Sequence, residues 1–363
     1  MKLQGRERWR WQNKHNLRSY HTYHCNMKGS ITMNLKHTLK RTFAAVGTAA
    51  LLFGMTACGG DVQTSASGTQ AAAQDAPKVG LIQLMEHPSL DEIRTAIEAE
   101  LDAKLGENAY QYDYQNAQGD TSTIANICQK FVADDVDVII AIATNAAQGA
   151  AAAVKGTDIP VVFSAVTDPQ AAGLVSDPEK PDANITGTSD AIPVEKIFDL
   201  AGELTPDVKS YGLIYNNAEP NSVSVIEQTK AYLDSKGISY VESAVTATGE
   251  VQTAAQSLLG QCDAVFAPID NTVASAMPVL AREAINVKKP VYVAADSMVA
   301  DGGLATVGVN YTQLGTQTAD MAAKVLQGTP VSELPVEILT ENAVVVNEET
   351  AKAIGVDVSA YVK

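Results

Sequence analysis

The chain has 363 residues, with 26 Lys/Arg against 42 Asp/Glu and a net charge of −16 at neutral pH. Ten of the bases and a single acid fall in residues 1–57, which leaves 16 bases and 41 acids, a net −25, in residues 58–363. Segments so unlike in composition do not share a fold. The acidic remainder excludes nucleic acid as a partner, because phosphate binding needs clustered Lys/Arg.

Met33 opens MNLKHTLKRTFAAVGTAALLFGMTACGG, with basic Lys36, Lys40 and Arg41 ahead of an apolar run from Phe43 to Met55. This layout predicts a secretory signal over 33–57, since a run of about 13 apolar residues is short for a membrane span. Met55-Thr56-Ala57-Cys58 is similar to a bacterial lipobox, which implies cleavage before Cys58 and lipidation of that Cys. The alternative is an uncleaved anchor with a chance cysteine. Residues 1–32 then read as an upstream extension before a true start at Met33, or else as a basic cytoplasmic or nucleic-acid-binding arm. Residues 58–78, rich in Gly, Ser, Thr, Gln and Ala, predict a flexible tether with a reach of roughly 25 Å.

From Val79 on, apolar runs alternate with helical patterns. VGLIQL (79–84) is followed by a helix with capping-box spacing at Ser89 and Glu92 and an apolar stripe of Leu90, Ile93, Ile97, Leu101 and Leu105. Then come a strand at 110–115, a helix at 121–133, the strand VDVIIAIA (136–143), an Ala-rich helix at 146–155, the strand VVFSAV (161–166) and a weaker strand at 183–189. A second half repeats the rhythm: strands at 211–216, 238–245, 264–269, 290–295 and 304–309, helices at 219–236, 250–260 and 272–287, then a helix at 312–327. Such near-continuous apolar strands suit parallel sheets covered on both faces. The body is too large for one comfortable core. The fold class expected is therefore α/β, two doubly wound parallel-sheet lobes joined by a hinge. Residues 79–192 plus 311–328 are assigned to lobe 1, and 193–310 plus 331–363 to lobe 2. Cys128 and Cys262 are too isolated for a disulfide framework and read as buried thiols.

Ligands of open parallel sheets bind outside the carboxyl ends of the strands. The residues there are Gln83, Glu86 and His87; Thr144 and Asn145; Ser164, Thr167 and Asp168; Thr188, Ser189 and Asp190; Asn216, Asn217, Glu219, Asn221 and Ser222; Asp270, Asn271 and Thr272; and Asp296 and Ser297. Helix caps and turns account for part of this set. The remainder has the character of a polar cleft, with helix N-termini for a carboxylate and acids for an ammonium. An amino acid carries both groups.

Enzyme chemistry finds little support. The body holds no phosphate-binding G-x-x-x-x-G-K-[ST], no H-E-x-x-H, no paired C-x-x-C, and a single histidine, His87. Carboxylates could still gather round a calcium ion, but no D-x-D-x-D-G loop is present. No cofactor or metal is expected.

The segments GLIQLMEHPSLDEIR, IATNAAQGA, FSAVTDPQAAGLV, NITGTSD, YNNAEPNS and VGVNYTQLGTQTADMAAKVLQG, in this order and spacing, resemble substrate-binding lipoproteins of ABC transporters, specifically the tryptophan/tyrosine type. The resemblance implies a type I periplasmic-binding fold and a monomer, lipid-anchored outside the bacterial cell membrane. It also implies a small amino-acid-like ligand held between two closing lobes and passed to an ABC permease with its separate ATPase. It implies that Gln83, Glu86 and His87 line the cleft. Thr144, Asn145, Ser164 and Thr167 would take the α-carboxylate, and Asp270, Glu219 or both the α-ammonium. Asn217, Asn271, Asp296 and Asn310 would complete the polar contacts. Without tryptophan in the body, Tyr215, Tyr311 or His87 would stack on an aromatic ligand. A ligand sensor presenting to a receptor, or a binding protein for a nucleoside or short peptide, remain the alternatives.

Overall fold

The computed structural model describes residues 76–362 except 182, 340 and 341. The predicted signal, Cys58 and nearly all of the tether lie outside the described residues. The first sheet is built from β1 (Lys78–Gln83), β2 (Gln111–Asn116), β3 (Val138–Ile142), β4 (Val161–Ser164) and β5 (Ile185–Ser189). Its helices are α1 (Pro88–Leu105), α2 (Thr121–Ala133) and α3 (Thr144–Ala153). The chain then enters the second sheet through α4 (Val194–Leu204), followed by β6 (Ser210–Asn216), α5 (Pro220–Lys236), β7 (Ser239–Val245), α6 (Val251–Leu259), β8 (Ala264–Ala267), α7 (Asn271–Ser275), α8 (Met277–Asn286), β9 (Val291–Val293), α9 (Asp296–Ala300) and β10 (Ala305–Gly308). It returns for α10 (Tyr311–Leu326) and β11 (Glu337–Ile338), and ends with β12 (Ala343–Val346) and α11 (Glu348–Ile354).

Each sheet has six strands, in the orders β11-β5-β4-β3-β1-β2 and β12-β10-β9-β8-β6-β7. All pairings are parallel except β10 with β12. Every residue of β3, β4, β8 and β9 is buried, as inner strands covered on both faces must be. The edge strands β2 and β7 are partly exposed.

The fold is the expected pair of doubly wound α/β lobes, with local departures. The tail assigned to lobe 2 is divided: β11 pairs with β5 in the first sheet, and only the segment from β12 onward joins the second. The chain therefore passes between sheets after β5, after β10 and after β11. Helix α4, absent from the sequence reading, packs on β9 and β10. The helix expected over 272–287 is broken into α7 and α8 at Ala276, two residues before Pro278, which is held in the first turn of the new helix.

The predicted capping box is also reassigned. Pro88 occupies the first turn of α1 and His87 is the N-cap, with no side-chain cap bond. Glu92 instead accepts from Thr312 N at 2.9 Å and Thr312 Oγ1 at 2.5 Å, capping α10 from its neighbour. The two helices lie close because Gly315 of α10 sits against Ile93 and Ala96. The stripe Leu90, Ile93, Ile97 and Leu101 is buried there, each such side chain contributing about 1.5–3 kcal/mol.

Candidate functional site

The segments that follow β1, β4, β5, β6, β8 and β9 meet between the sheets. They enclose a pocket lined from the first lobe by His87, Ser89, Leu90, Ala165 and Asp190, and from the second by Asn221, Ile269, Asp270, Asn271, Ala274, Ala295 and Met298. Tyr311, the first residue of α10, closes it at the second crossing between sheets. The walls leave about 20 Å³ of space, far below the several hundred Å³ of a small-molecule pocket. Entry of an amino acid therefore requires the lobes to part.

Two acids dominate the pocket. Asp190 follows β5 and is buried, accepting from Thr167 Oγ1 at 2.8 Å and, over a longer 3.3 Å, from Tyr311 Oη. Burial pushes its carboxyl up to about 6, against the opposing pull of those hydrogen bonds. Asp270 is the N-cap of α7. Its Oδ1 accepts from Val273 N at 2.8 Å and its Oδ2 from Asn216 N at 2.5 Å. Burial first, and the nearby Glu219 charge second, push Asp270 above the usual carboxylate range. No Lys or Arg lines the pocket. Two acids without a cation make a site for a ligand ammonium.

Behind Asp270, Glu219 is fully engaged. Its Oε2 accepts from Asn271 N at 2.9 Å and Asn271 Nδ2 at 2.7 Å, and its Oε1 from Thr272 N at 3.0 Å and Thr272 Oγ1 at 2.8 Å. The other end of the Asn271 amide, Oδ1, lies 3.1 Å from His87 Nε2 across the cleft. Further contacts join the lobes. The hydroxyls of Ser89 and Ser297 pair, Ser224 Oγ donates to Asp168 Oδ2 at 3.0 Å, and Ser275 Oγ donates to Met85 Sδ at 3.2 Å.

Of the residues expected to hold a ligand, His87, Asp270 and Asn271 line this pocket. Gln83 is buried inside the first lobe, donating to Met85 O at 2.8 Å and Asp91 Oδ1 at 2.7 Å. Glu86 and Asn217 are exposed. Ser164 belongs to a buried hydroxyl cluster, 2.8 Å from Thr318 Oγ1 and 3.4 Å from Thr188 Oγ1. It therefore ties β4 to α10 and does not face the cleft. Thr167 donates to Asp190 and Glu219 accepts from Asn271, so each touches a pocket-lining residue without lining the pocket itself. Thr144 is buried at the start of α3, while Asn145 reaches across the cleft rim to Ala218 O at 3.5 Å. Asp296 and Asn310 flank a separate surface depression beside β12, and Asn310 caps α10 through Gln313 N at 2.8 Å. Of the stacking candidates, Tyr215 bonds Glu242 at 3.1 Å, away from the pocket.

Asp190 and Tyr311 are the main additions. Both stood among the residues at strand ends or the stacking candidates, but only the crossings between sheets bring them together. Ala165 holds φ +55° at the end of β4, a left-handed conformation that costs about 1–3 kcal/mol and is concentrated at functional sites. A roomier groove of about 500 Å³ runs over α2 and α3, but it is lined by Ala, Gly, Ile and uncharged polar residues. The smaller pocket, with its convergent buried acids, is the better candidate.

The model for the family described as ABC transporter substrate binding protein matches residues 78–363. A tyrosine-binding protein of Clostridioides difficile is 39% identical over 279 residues, 76% of this chain and 80% of its own. A Streptococcus pneumonia ABC domain solved in complex with L-Trp superposes with a TM-score of 0.75 at 36% identity, covering 78% of this chain and 95% of its own. A ligand-free, open substrate-binding protein with adhesive properties from Clostridium difficile gives 0.62 at 39% identity, covering 79% and 98%. At nearly equal identity and coverage, the lobe arrangement here thus matches the L-Trp complex better than the open form.

Proposed function

The chain belongs to the ABC transporter substrate-binding protein family, and on that premise we propose that it binds an aromatic amino acid, tryptophan or tyrosine, between its lobes and delivers it to an ABC permease driven by a separate ATPase. The observation that carries this reading is the interlobe pocket itself. Asp190 and Asp270 line it from opposite lobes without a cation, beside the apolar and aromatic surface of Leu90, Ile269, Met298 and Tyr311. The names of the relatives point to the same ligand class.

Asp190 takes the α-ammonium, because its Oδ2 holds only the long bond from Tyr311; Asp270 contributes its field from the other lobe. The α-carboxylate lies at the start of α1, where the backbone N–H groups of Ser89 and Leu90 precede the first intrahelical bond, Asp91 N to His87 O. The ring lies against Tyr311. The ligand favours closure by contacts that exist only when both lobes meet. Nothing in this role calls for catalysis, and the protein acts as a monomer. Lipidation of Cys58 would tether the body outside the cell membrane.

Isothermal titration with tryptophan, tyrosine and phenylalanine should show saturable heat for at least one, lost in Asp190→Asn and Asp270→Ala. Heat absent for all three would remove the aromatic assignment. For the anchor, labelled palmitate should mark the wild-type chain and not Cys58→Ser; equal labelling would place the lipid elsewhere.

A further inference from the structure

We propose that His87 reads the side chain of the ligand: its Nδ1 is a fixed hydrogen-bond acceptor that selects rings bearing an N–H or O–H, as in tryptophan and tyrosine, over rings without one. This rests on the aromatic-ligand reading and adds a specificity rule to it.

The chain of constraint begins at Glu219. A carboxylate only accepts, so the Asn271 amide must turn its Nδ2 toward Glu219 Oε2, 2.7 Å away. The backbone N of Asn271, bonded to the same oxygen at 2.9 Å, holds the residue in place. Asn271 Oδ1 is then the end that meets His87 Nε2 at 3.1 Å. That oxygen also only accepts, so Nε2 carries the hydrogen. Burial lowers the His87 pKa below its ordinary value, against the raising effects of the Asn271 bond and of the Glu219, Asp91 and Asp301 charges. The ring is therefore neutral near pH 7 and has one N–H, leaving Nδ1 as a bare lone pair.

Nδ1 is buried and has no hydrogen-bond partner among the described residues. His87 is the N-cap of α1, yet its side chain makes no cap bond. The charged groups whose fields reach it are all acids, and none supplies a hydrogen. A ligand in the pocket meets two kinds of acceptor: the carboxylates of Asp190 and Asp270, and this imidazole nitrogen. The carboxylates draw the ammonium, so the imidazole is left for a neutral donor on the ring. A site built around a buried acceptor rejects an analogue lacking the donor, since the acceptor is then desolvated and unpaired.

The test is isothermal titration of the protein with two matched pairs: tryptophan against 3-benzothienylalanine, in which sulfur replaces the indole N–H, and tyrosine against phenylalanine. The donor-bearing member of at least one pair should bind tenfold or more tighter. In His87→Leu, verified as folded by its thermal melt, that ratio should fall to threefold or less. Ratios under threefold for both pairs in the wild type overturn the His87 rule while leaving the aromatic reading intact, as does a ratio that survives His87→Leu unchanged. Failure of all four compounds to bind overturns the aromatic reading itself, and the rule with it.

Discussion

Replacing Asp190 by Asn isolates the pH dependence of ligand binding. With its carboxyl pushed up to about 6 by burial, Asp190 is roughly 90% ionised at pH 7 and roughly 10% ionised at pH 5. An ammonium ligand binds the ionised form, so at pH 5 the site must first lose a proton. Affinity should therefore fall about tenfold between pH 7 and pH 5, with net proton release on binding at the lower pH. The free ligand contributes nothing, because its ammonium and carboxyl titrate outside this range. Asp270, also raised by burial, adds in the same direction. Titration calorimetry in buffers of different ionisation enthalpy measures both the affinity and the proton count. Asp190→Asn should bind weakly with a much flatter pH profile.

The same shift has the opposite consequence for stability. The folded-state value lies above the unfolded value of 3.8. The stabilisation relative to the ionised form is therefore fully present below pH 3.8 and is lost as pH rises through 6. Across that window it amounts to about 3 kcal/mol. Asn does not titrate, so Asp190→Asn should gain about that much stability relative to wild type between pH 3.5 and pH 7 in urea unfolding. Wild-type affinity that is level from pH 7 to pH 5, or parallel stability profiles for the two proteins, would refute the placement of a strained, buried carboxylate at the ammonium subsite.

Other substitutions separate structure from binding. Gly315→Ala puts a Cβ 2.6 Å from Ile93 O and 2.7 Å from Ala96 Cβ, so it should cost about 1–3 kcal/mol by chemical unfolding as α10 is levered off α1. Ser164→Ala removes one hydroxyl from the cluster with Thr188 and Thr318. It should cost about 1 kcal/mol and leave ligand affinity within twofold; a larger loss of affinity would return Ser164 to the cleft. Glu219→Gln turns an amide toward four donors and frees the Asn271 side chain. It should lower stability by about 1–3 kcal/mol and reduce discrimination between tryptophan and 3-benzothienylalanine.

The apolar runs at the centre of each sheet were legible because those strands are buried on both faces, and the stripe of α1 because one face of the helix is buried, mainly against α10 and also against β3. The polar strand ends located the cleft as a region, but the chemistry of each residue depended on partners far away in sequence. Ser89 and Glu92 have the spacing of a capping box, yet tertiary contacts with Ser297 and Thr312 outcompete the local bonds. Ser164 follows an apolar strand as a cleft residue would, but α10 arrives from 154 residues away to take its hydroxyl. Asp190 and Tyr311 are separated by 121 residues, and only the first two of the three passages between sheets juxtapose them. Division of the tail was illegible for a similar reason: β11 is two residues long, too short to carry a pattern.

The acids also account for why closure should depend on ligand. Asp190 belongs to one lobe, where Thr167 and Tyr311 enclose it, and Asp270 to the other, and in the closed cleft both line one pocket with no basic side chain. Neither carboxylate has a cation to offset its burial there, and burial is the leading cause that raises both. The direct contacts between lobes that oppose this are neutral or singly charged hydrogen bonds, such as Ser224 to Asp168 and His87 to Asn271, worth on the order of 1 kcal/mol each. Moving an equilibrium from 1:99 to 99:1 needs about 5.5 kcal/mol of differential affinity. An ammonium beside the carboxylates offsets that burial, while an aromatic ring adds apolar burial. A ligand with a ring but no ammonium would gain the second contribution alone. The charge arrangement therefore makes closure a response to amino acids rather than to hydrophobic molecules in general.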